Sequence, residues 1–405
     1  MHLQPDIQQP TPAPLSTRIN EIDIIRGLAL LGILTVNIGL FSFPVLYANP
    51  QHYWSAGIDR ICDKLVYFLG EGKFISIFSF LFGLGFTIFM QRALAKTDNP
   101  KLLFARRLVI LLLIGMIHAN LIWYGDVLCI YSLLGFLLML FWHMSPERLF
   151  KWAAGIMIVF TVVAIGISLI WGATQPDAPT TAIAGIKQAE EAVRHYQSGT
   201  LREIFWQNQS DLWIVRIGYT LISPQIFTMF LLGAYAGKRK LFSNLRQHTP
   251  FIRRVQTVSL ATGLPLAIIG VIWRDLPAST GSDLVQLLES YFAGPAMGIF
   301  YIATLALLLQ SPGWKPVFSP LAAVGRMAAT NYIMQSVLCI FIFYHFGLGL
   351  YGKTSPARDL LIVAAIYALQ ILLSNAWLKR FKYGPVEWCW RTLTYYGMKQ
   401  ARPID

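Results

Sequence analysis

About ten apolar runs, each near the roughly 20 residues needed to cross a bilayer, divide this 405-residue chain, and no other feature restricts its fold as tightly. Their centres fall near Leu31, Phe82, Leu112, Leu134, Val162, Phe230, Ile268, Ala303, Ser336 and Ala365, separated by charges and by Pro and Gly breaks. Inside lipid every backbone polar group must be satisfied by the segment itself or by a closed barrel. A barrel would alternate apolar and polar residues, and these runs do not. The expected fold class is therefore all-α, a polytopic helical membrane protein with about ten transmembrane helices. Only 13% of the residues are charged, against roughly a quarter in soluble proteins, so the composition excludes a soluble enzyme.

The net charge of +13 has an ordinary source in such a chain, because loops on the inner side collect Lys and Arg. Placing the N-terminus inside puts about two thirds of the 33 basic residues on one side. They run from Arg18 and Arg26 through Arg106, Arg107, Lys238–Lys240, Arg253, Arg254 and Arg326 to the group between Lys379 and Arg402. Both termini are thus expected in the cytoplasm, and no nucleic-acid partner is needed to explain the charge. Residues 1–17, rich in Pro and Gln, read as a disordered cytoplasmic tail. Residues 172–211 mix charges with Ile186, Val193, Leu201, Ile204 and Phe205, and read as an external amphipathic loop. That loop either packs on the outer leaflet or forms a lid. The segment 379–405 joins basic residues to Trp388, Trp390, Tyr395 and Tyr396, as expected of a helix at the inner membrane face.

Ionisable and amide side chains within spans are costly and mark candidate sites. In the third span Arg106 and Arg107 stand at the inner start and His118 follows eleven residues after Arg107, about 16 Å deeper. In the first span Asp23 and Arg26 are followed by Asn37, about 21 Å beyond Asp23. The ninth carries Arg326, then Asn331 and Gln335 on one helical face. Two layers result. The inner one, Arg26, Arg106, Arg107 and Arg326, either grips donor phosphates or only snorkels to the interface. The deeper one holds Asn37, His118, Asn120 and Gln335, bordered by Glu71 and Asp126 as acceptor-side groups together with Asn120 and Asn331. Imidazole titrates near neutrality, so His118 suits general-base or nucleophilic chemistry, with Asn37 and Gln335 as orienting groups. An interhelical hydrogen bond is the plainer role for it. No metal is expected, because no other histidine pairs with His118 at ligand spacing. The four cysteines are scattered singly and receive no role.

Five stretches together resemble the YeiB family of bacterial inner-membrane proteins: IDIIRGLALLGILTVNI, EGKFISIFSFLFGLGF, RRLVILLLIGMIHANLIWYGDVLCIYSLLG, VGRMAATNYIMQS and YGPVEWCWRTLTY. The resemblance implies a bacterial inner-membrane location. The D-x-x-R-G of the first span and the Arg-x10-His of the third distantly resemble integral-membrane acyltransferases of the heparan-glucosaminide acetyltransferase type. That resemblance implies Arg107 and His118 in handling an acyl donor, acetyl-CoA or another acyl-CoA, and a small-molecule, glycan or lipid acceptor reached from the outer side. This chain has Asn37 where those enzymes typically carry His. The expected organisation is an N-terminal acyltransferase-like half at 18–171, the external loop, a C-terminal half at 212–378 and the basic-aromatic tail. The alternative from a different class is a transporter of a small anionic or lipid-linked solute, for which the same polar layers would form the path. A third possibility is a scaffold whose polar groups only join helices. Membrane lipids are the one partner expected in every case.

Overall fold

The computed structural model describes residues 19–48, 53–54, 57–95, 97–174, 179–274, 285 and 288–397, with the backbone alone for 171–174 and 179–184. The tail read over 1–17 and the end of the C-terminal tail lie outside the described residues. All regular structure among the described residues is helical. The helices are α1 (Asn20–Ser42), α2 (Gly57–Gly70), α3 (Lys73–Leu94), α4 (Pro100–Leu121), α5 (Leu128–Leu140), α6 (Pro146–Thr174) and α7 (Pro179–Ser198). They continue with α8 (Leu201–Lys238), α9 (Thr249–Trp273), α10 (Gly294–Leu308), α11 (Trp314–Arg326), α12 (Ala328–Phe343), α13 (Pro356–Arg380) and α14 (Pro385–Tyr395). A π-turn at Glu289–Ala293 leads into α10.

Every expected span centre lies in a helix, but the spans are not equal. Among the described residues eight helical segments are long and apolar enough to cross a membrane, and α11 with α12 makes a ninth if the pair is one span bent by 81° at its break. The remaining apolar helix, α5, has only 13 residues, about 20 Å, which falls short of a hydrocarbon core of about 30 Å. At the opposite extreme α8 has 38 residues, about 57 Å, and so rises well beyond the bilayer. Its start is fixed by a capping box in which Thr200 and Glu203 satisfy each other's backbone N–H groups.

Lipid offers helices little hydrophobic drive to associate, so close backbone packing replaces it. At the α3–α8 crossing a Cβ on Gly83 would lie 1.9 Å from the Phe230 carbonyl oxygen, and one on Gly233 would lie 1.9 Å from that of Phe80. Only hydrogen fits at either position. The segments 18–171 and 212–378 interdigitate: α1 packs on α11, α12 and α13, while α3 packs on α8 and α10. The outward face of α6, from Ile158 to Ile170, is exposed and apolar.

One end of the bundle gathers many of the basic residues. There Lys315 pairs with Glu21 at 3.3 Å, Thr249 donates to Gln310 at 2.9 Å, and the Lys238 ammonium donates to the Trp142 and Met144 carbonyls. The opposite end is covered by α7 and the first three turns of α8. Their buried side chains include Ala192, Tyr196, Gln207, Asn208 and Asp211. The segment expected as an amphipathic loop thus packs onto the bundle. Asp211 accepts from Tyr47 and Tyr196, each at 2.6 Å, and from Gln207 at 2.8 Å. Burial and the Asp211 charge push the Tyr47 hydroxyl above its usual range, so it remains a donor.

Candidate functional site

The site is assembled by a turn and a broken helix. Helix α4 ends at Leu121 with His118 in its last turn, and the chain folds back so that Asp126, eight residues on, meets the imidazole: Nδ1 is 2.9 Å from Asp126 Oδ2. The other oxygen of Asp126 accepts the Cys129 backbone N–H at 2.8 Å, at the start of α5. From across the bundle α12 contributes two residues one turn apart. Tyr332 lays its ring 5.1 Å from the imidazole and donates its hydroxyl to the Gly125 carbonyl at 3.1 Å. Ser336 Oγ lies 2.8 Å from His118 Nε2.

A carboxylate can only accept hydrogen bonds, so Asp126 fixes the proton on Nδ1 and leaves Nε2 to accept the Ser336 hydroxyl hydrogen. The result is a carboxylate–imidazole–hydroxyl row. His118 and Ser336 are each 1% exposed and Asp126 4%, so the row lies in a low-dielectric interior where a misplaced proton is expensive. Such a row can raise the nucleophilicity of a hydroxyl at the moment of attack. Above it, Asn208 and Gln209 donate to the Ala119 and Asn120 carbonyls at 2.9 and 3.1 Å. The covering segment therefore satisfies carbonyls at the end of the very helix that carries His118.

The other deep-layer residues do not join this row. Asn120 turns back to the Met116 carbonyl at 2.8 Å, one turn earlier in its own helix. Asn37 is half-buried, and no hydrogen bond among the described residues joins it to His118. Gln335 donates to Gln370 at 2.9 Å and to the Leu30 carbonyl at 3.3 Å, while Asn331 donates to Ser374 at 2.9 Å and to the Val324 carbonyl at 3.1 Å. Gln370 in turn donates to the Asn331 carbonyl at 2.8 Å. This network ties α12 to α13 and α1, and it faces away from the imidazole because neighbours on a helix are about 100° apart. Glu71 and Asp126, expected together on the acceptor side, are also separate. Asp126 orients His118, whereas Glu71 pairs with Arg274 at 3.3 Å at the α2–α3 corner.

Two members of the arginine layer, Arg26 and Arg107, come close together. Arg26 and Arg391 lie near enough for their charges to act on Arg107. The Arg107 guanidinium sits 3.8 Å over the Trp390 ring, and Trp390 Nε1 donates to the Arg107 carbonyl at 2.8 Å. Arg106 donates to the Tyr396 carbonyl at 2.7 Å, and Arg26 pairs with Asp23 at 3.0 Å. Arg326 ends α11, immediately before the break. Helix α14, expected along the membrane face, docks on α4 and α12. Its Glu387 accepts the Ala329 and Thr330 N–H groups at 2.7 and 3.1 Å and so caps the exposed start of α12.

Sequence reasoning missed three partners. Ser336 stands among the polar residues of the ninth span but draws no role there, because a serine in a span can satisfy itself on its own helix. Glu387 lay in a tail read as interfacial. Glu289, which pairs with fully buried Lys73, had the signal of a carboxylate opening an apolar run, a kind that marks sites.

Fold and site together define a helical membrane protein with a buried carboxylate–imidazole–hydroxyl row. Within that class the chain belongs to the YeiB family. It is 36% identical over 401 residues to the uncharacterized protein YxaH of Bacillus subtilis (strain 168), covering 95% of this chain and 96% of the relative. It is 29% identical over 392 residues to the uncharacterized protein YeiB of Escherichia coli (strain K12), covering 92% and 95%. An uncharacterized 39.9 kDa protein from Bacillus acidopullulyticus is 30% identical over 400 residues, with 95% and 96% covered. A family described as protein of unknown function (DUF418) matches residues 236–397, from the end of α8 through α14.

Proposed function

We propose that the protein moves an acyl group from a cytosolic acyl-CoA to an acceptor, a small molecule, glycan or lipid, reached from the opposite side of a bacterial inner membrane. The observation that carries this reading is the hydrogen bonding of His118 to Asp126 and Ser336 at once. In the first half-reaction His118 Nε2 takes the Ser336 proton as Oγ attacks the thioester carbon. The tetrahedral intermediate then expels the CoA thiolate, which takes that proton from the imidazolium. In the second half His118 deprotonates the acceptor hydroxyl as it attacks the Ser336 ester, and returns the proton to Ser336 Oγ as it leaves. Asp126 holds the imidazole through both halves.

Arg26, Arg106, Arg107 and Arg326 supply the donor-phosphate side, with Arg107 about 16 Å from His118 along α4. The positive excess at their end supports both termini facing the cytoplasm. The row is closed in this structure, so entry of the thioester requires α12 to part from α4. The 81° break beside Arg326 supports a hinge there.

The test is incubation of the detergent-purified chain with acetyl-CoA carrying a labelled acetyl group, followed by peptide mass spectrometry and a CoA-release assay. Label on Ser336, absent from Ser336→Ala and from His118→Ala, is the expected result. Label on His118 itself would make the imidazole the carrier. Donor consumption in neither form, together with uptake of an unmodified anionic solute into vesicles, would replace acyl transfer with transport. Stabilisation of the protein by acetyl-CoA, lost in Arg107→Ala, tests the donor half separately.

A further inference from the structure

A cleft of about 750 Å³ opens on the flank of the basic end, between α3, α8, α9 and α10 and far from the His118 row. Its floor is apolar, with Phe80, Phe242, Ile302 and Ala303 among its lining residues. Phe150, Phe251 and Val258 of its lining are exposed, an apolar opening that suits the hydrocarbon of a bilayer. Three cations from three elements line the same cleft: Lys151 of α6, Arg239 after α8 and Arg254 of α9. One carboxylate accompanies them, Glu147, 3.9 Å from Arg239, so the lining carries net positive charge. A second groove, of about 440 Å³, runs along α6 over Trp152, Gly155, Val159 and Phe160 and reaches the same Lys151.

We infer that these two grooves and the cations between them hold one anionic phospholipid. The phosphate lies among Lys151, Arg239 and Arg254, and one acyl chain follows each groove. A soluble anion would use the cations and leave the apolar walls against water; a neutral lipid would fill the walls and leave the cations without a counter-charge. A diacyl anion satisfies both, and basic pockets between helices at the inner membrane face are where such headgroups bind. The volume of the main cleft lies within the range of ordinary ligand sites. The inference is independent of the acyl-transfer reading, since none of the row or donor-side residues lines either groove.

The full chain is delipidated in mild detergent, incubated with dioleoyl phosphatidylglycerol or dioleoyl phosphatidylcholine, and examined by native mass spectrometry. One phosphatidylglycerol per chain is expected, retained about tenfold better than phosphatidylcholine. The triple variant Lys151→Gln, Arg239→Gln, Arg254→Gln should lose that preference. Gly155→Trp should lower phosphatidylglycerol retention several-fold with the cations intact. A Cβ at Gly155 meets nothing within 4 Å, so this variant fills the second groove without a packing clash at its base. Equal retention of the two lipids by the unaltered protein overturns the proposal. So does an unchanged result in either variant, because head and tail sites are required together. Circular dichroism and a monodisperse elution profile establish that the variants fold.

Discussion

Gln335 and Ser336 are neighbours on α12 and both buried, yet they belong to different regions of the molecule. Gln335 enters an amide network in which donors and acceptors from α1, α12 and α13 answer one another. Ser336 meets an imidazole whose other nitrogen is held by a carboxylate. The first arrangement offers hydrogen bonds and no group suited to accept a proton near neutral pH; the second contains a base, its orienting carboxylate and a hydroxyl. Burial and polarity alone do not distinguish a site from a joint. What distinguishes them is whether a proton has somewhere to go.

The largest effect that would sharpen this contrast is kinetic. His118→Ala should lower acyl transfer from labelled acetyl-CoA by about 10²- to 10⁴-fold, while the protein still inserts and elutes as a single species. An equal loss of turnover in Gln335→Ala would erase the distinction between the two regions. The next effect concerns the scaffold that both share. Gly233→Leu places a side chain where the Phe80 carbonyl already lies, and should cost about 1–3 kcal/mol, read as a fall in the midpoint of thermal unfolding in detergent.

Within the amide network, Gln370→Leu should destabilise by about 0.5–2 kcal/mol and leave turnover within a few-fold of the parent. Chemical denaturation paired with the transfer assay separates the two readouts. An effect of similar size is expected at the basic end. Trp390→Ala removes the ring beneath Arg107, a contact worth about 0.5–2 kcal/mol. Hydrogen exchange should then quicken in α14 while the α12 network stays protected.

Much of the architecture was legible because lipid leaves a segment few options. A run of about 20 apolar residues must be a helix, so all ten centres lie in helices, although eight or nine of the described segments are long enough to span. What hydropathy does not encode is the depth each helix reaches. The short α5, the long α8 and the break at Met327 depend on neighbours that take over unpaired backbone groups, as Glu387 does at the start of α12. In the site, His118 was legible because imidazole in a span is costly enough to be conspicuous. Asp126 was noticed at the head of its span but assigned to the acceptor side. Only the turn through Gly125 brings it to Nδ1.

The sequence by itself determined that this chain is a polytopic helical membrane protein, that its charge gathers at alternate loops, and that one helix carries arginines at its start and a histidine at depth. These follow from composition and one-dimensional spacing, which lipid converts directly into structure. The tertiary structure decided which polar residues face one another. It set Ser336 on the imidazole and turned Gln335 away, and it docked the C-terminal helix on the arginines. Rotation about a helix axis and the crossing of helices distant in sequence govern those outcomes. Neither is fixed until the small residues at the crossings, Gly83 and Gly233 among them, have brought the backbones into contact.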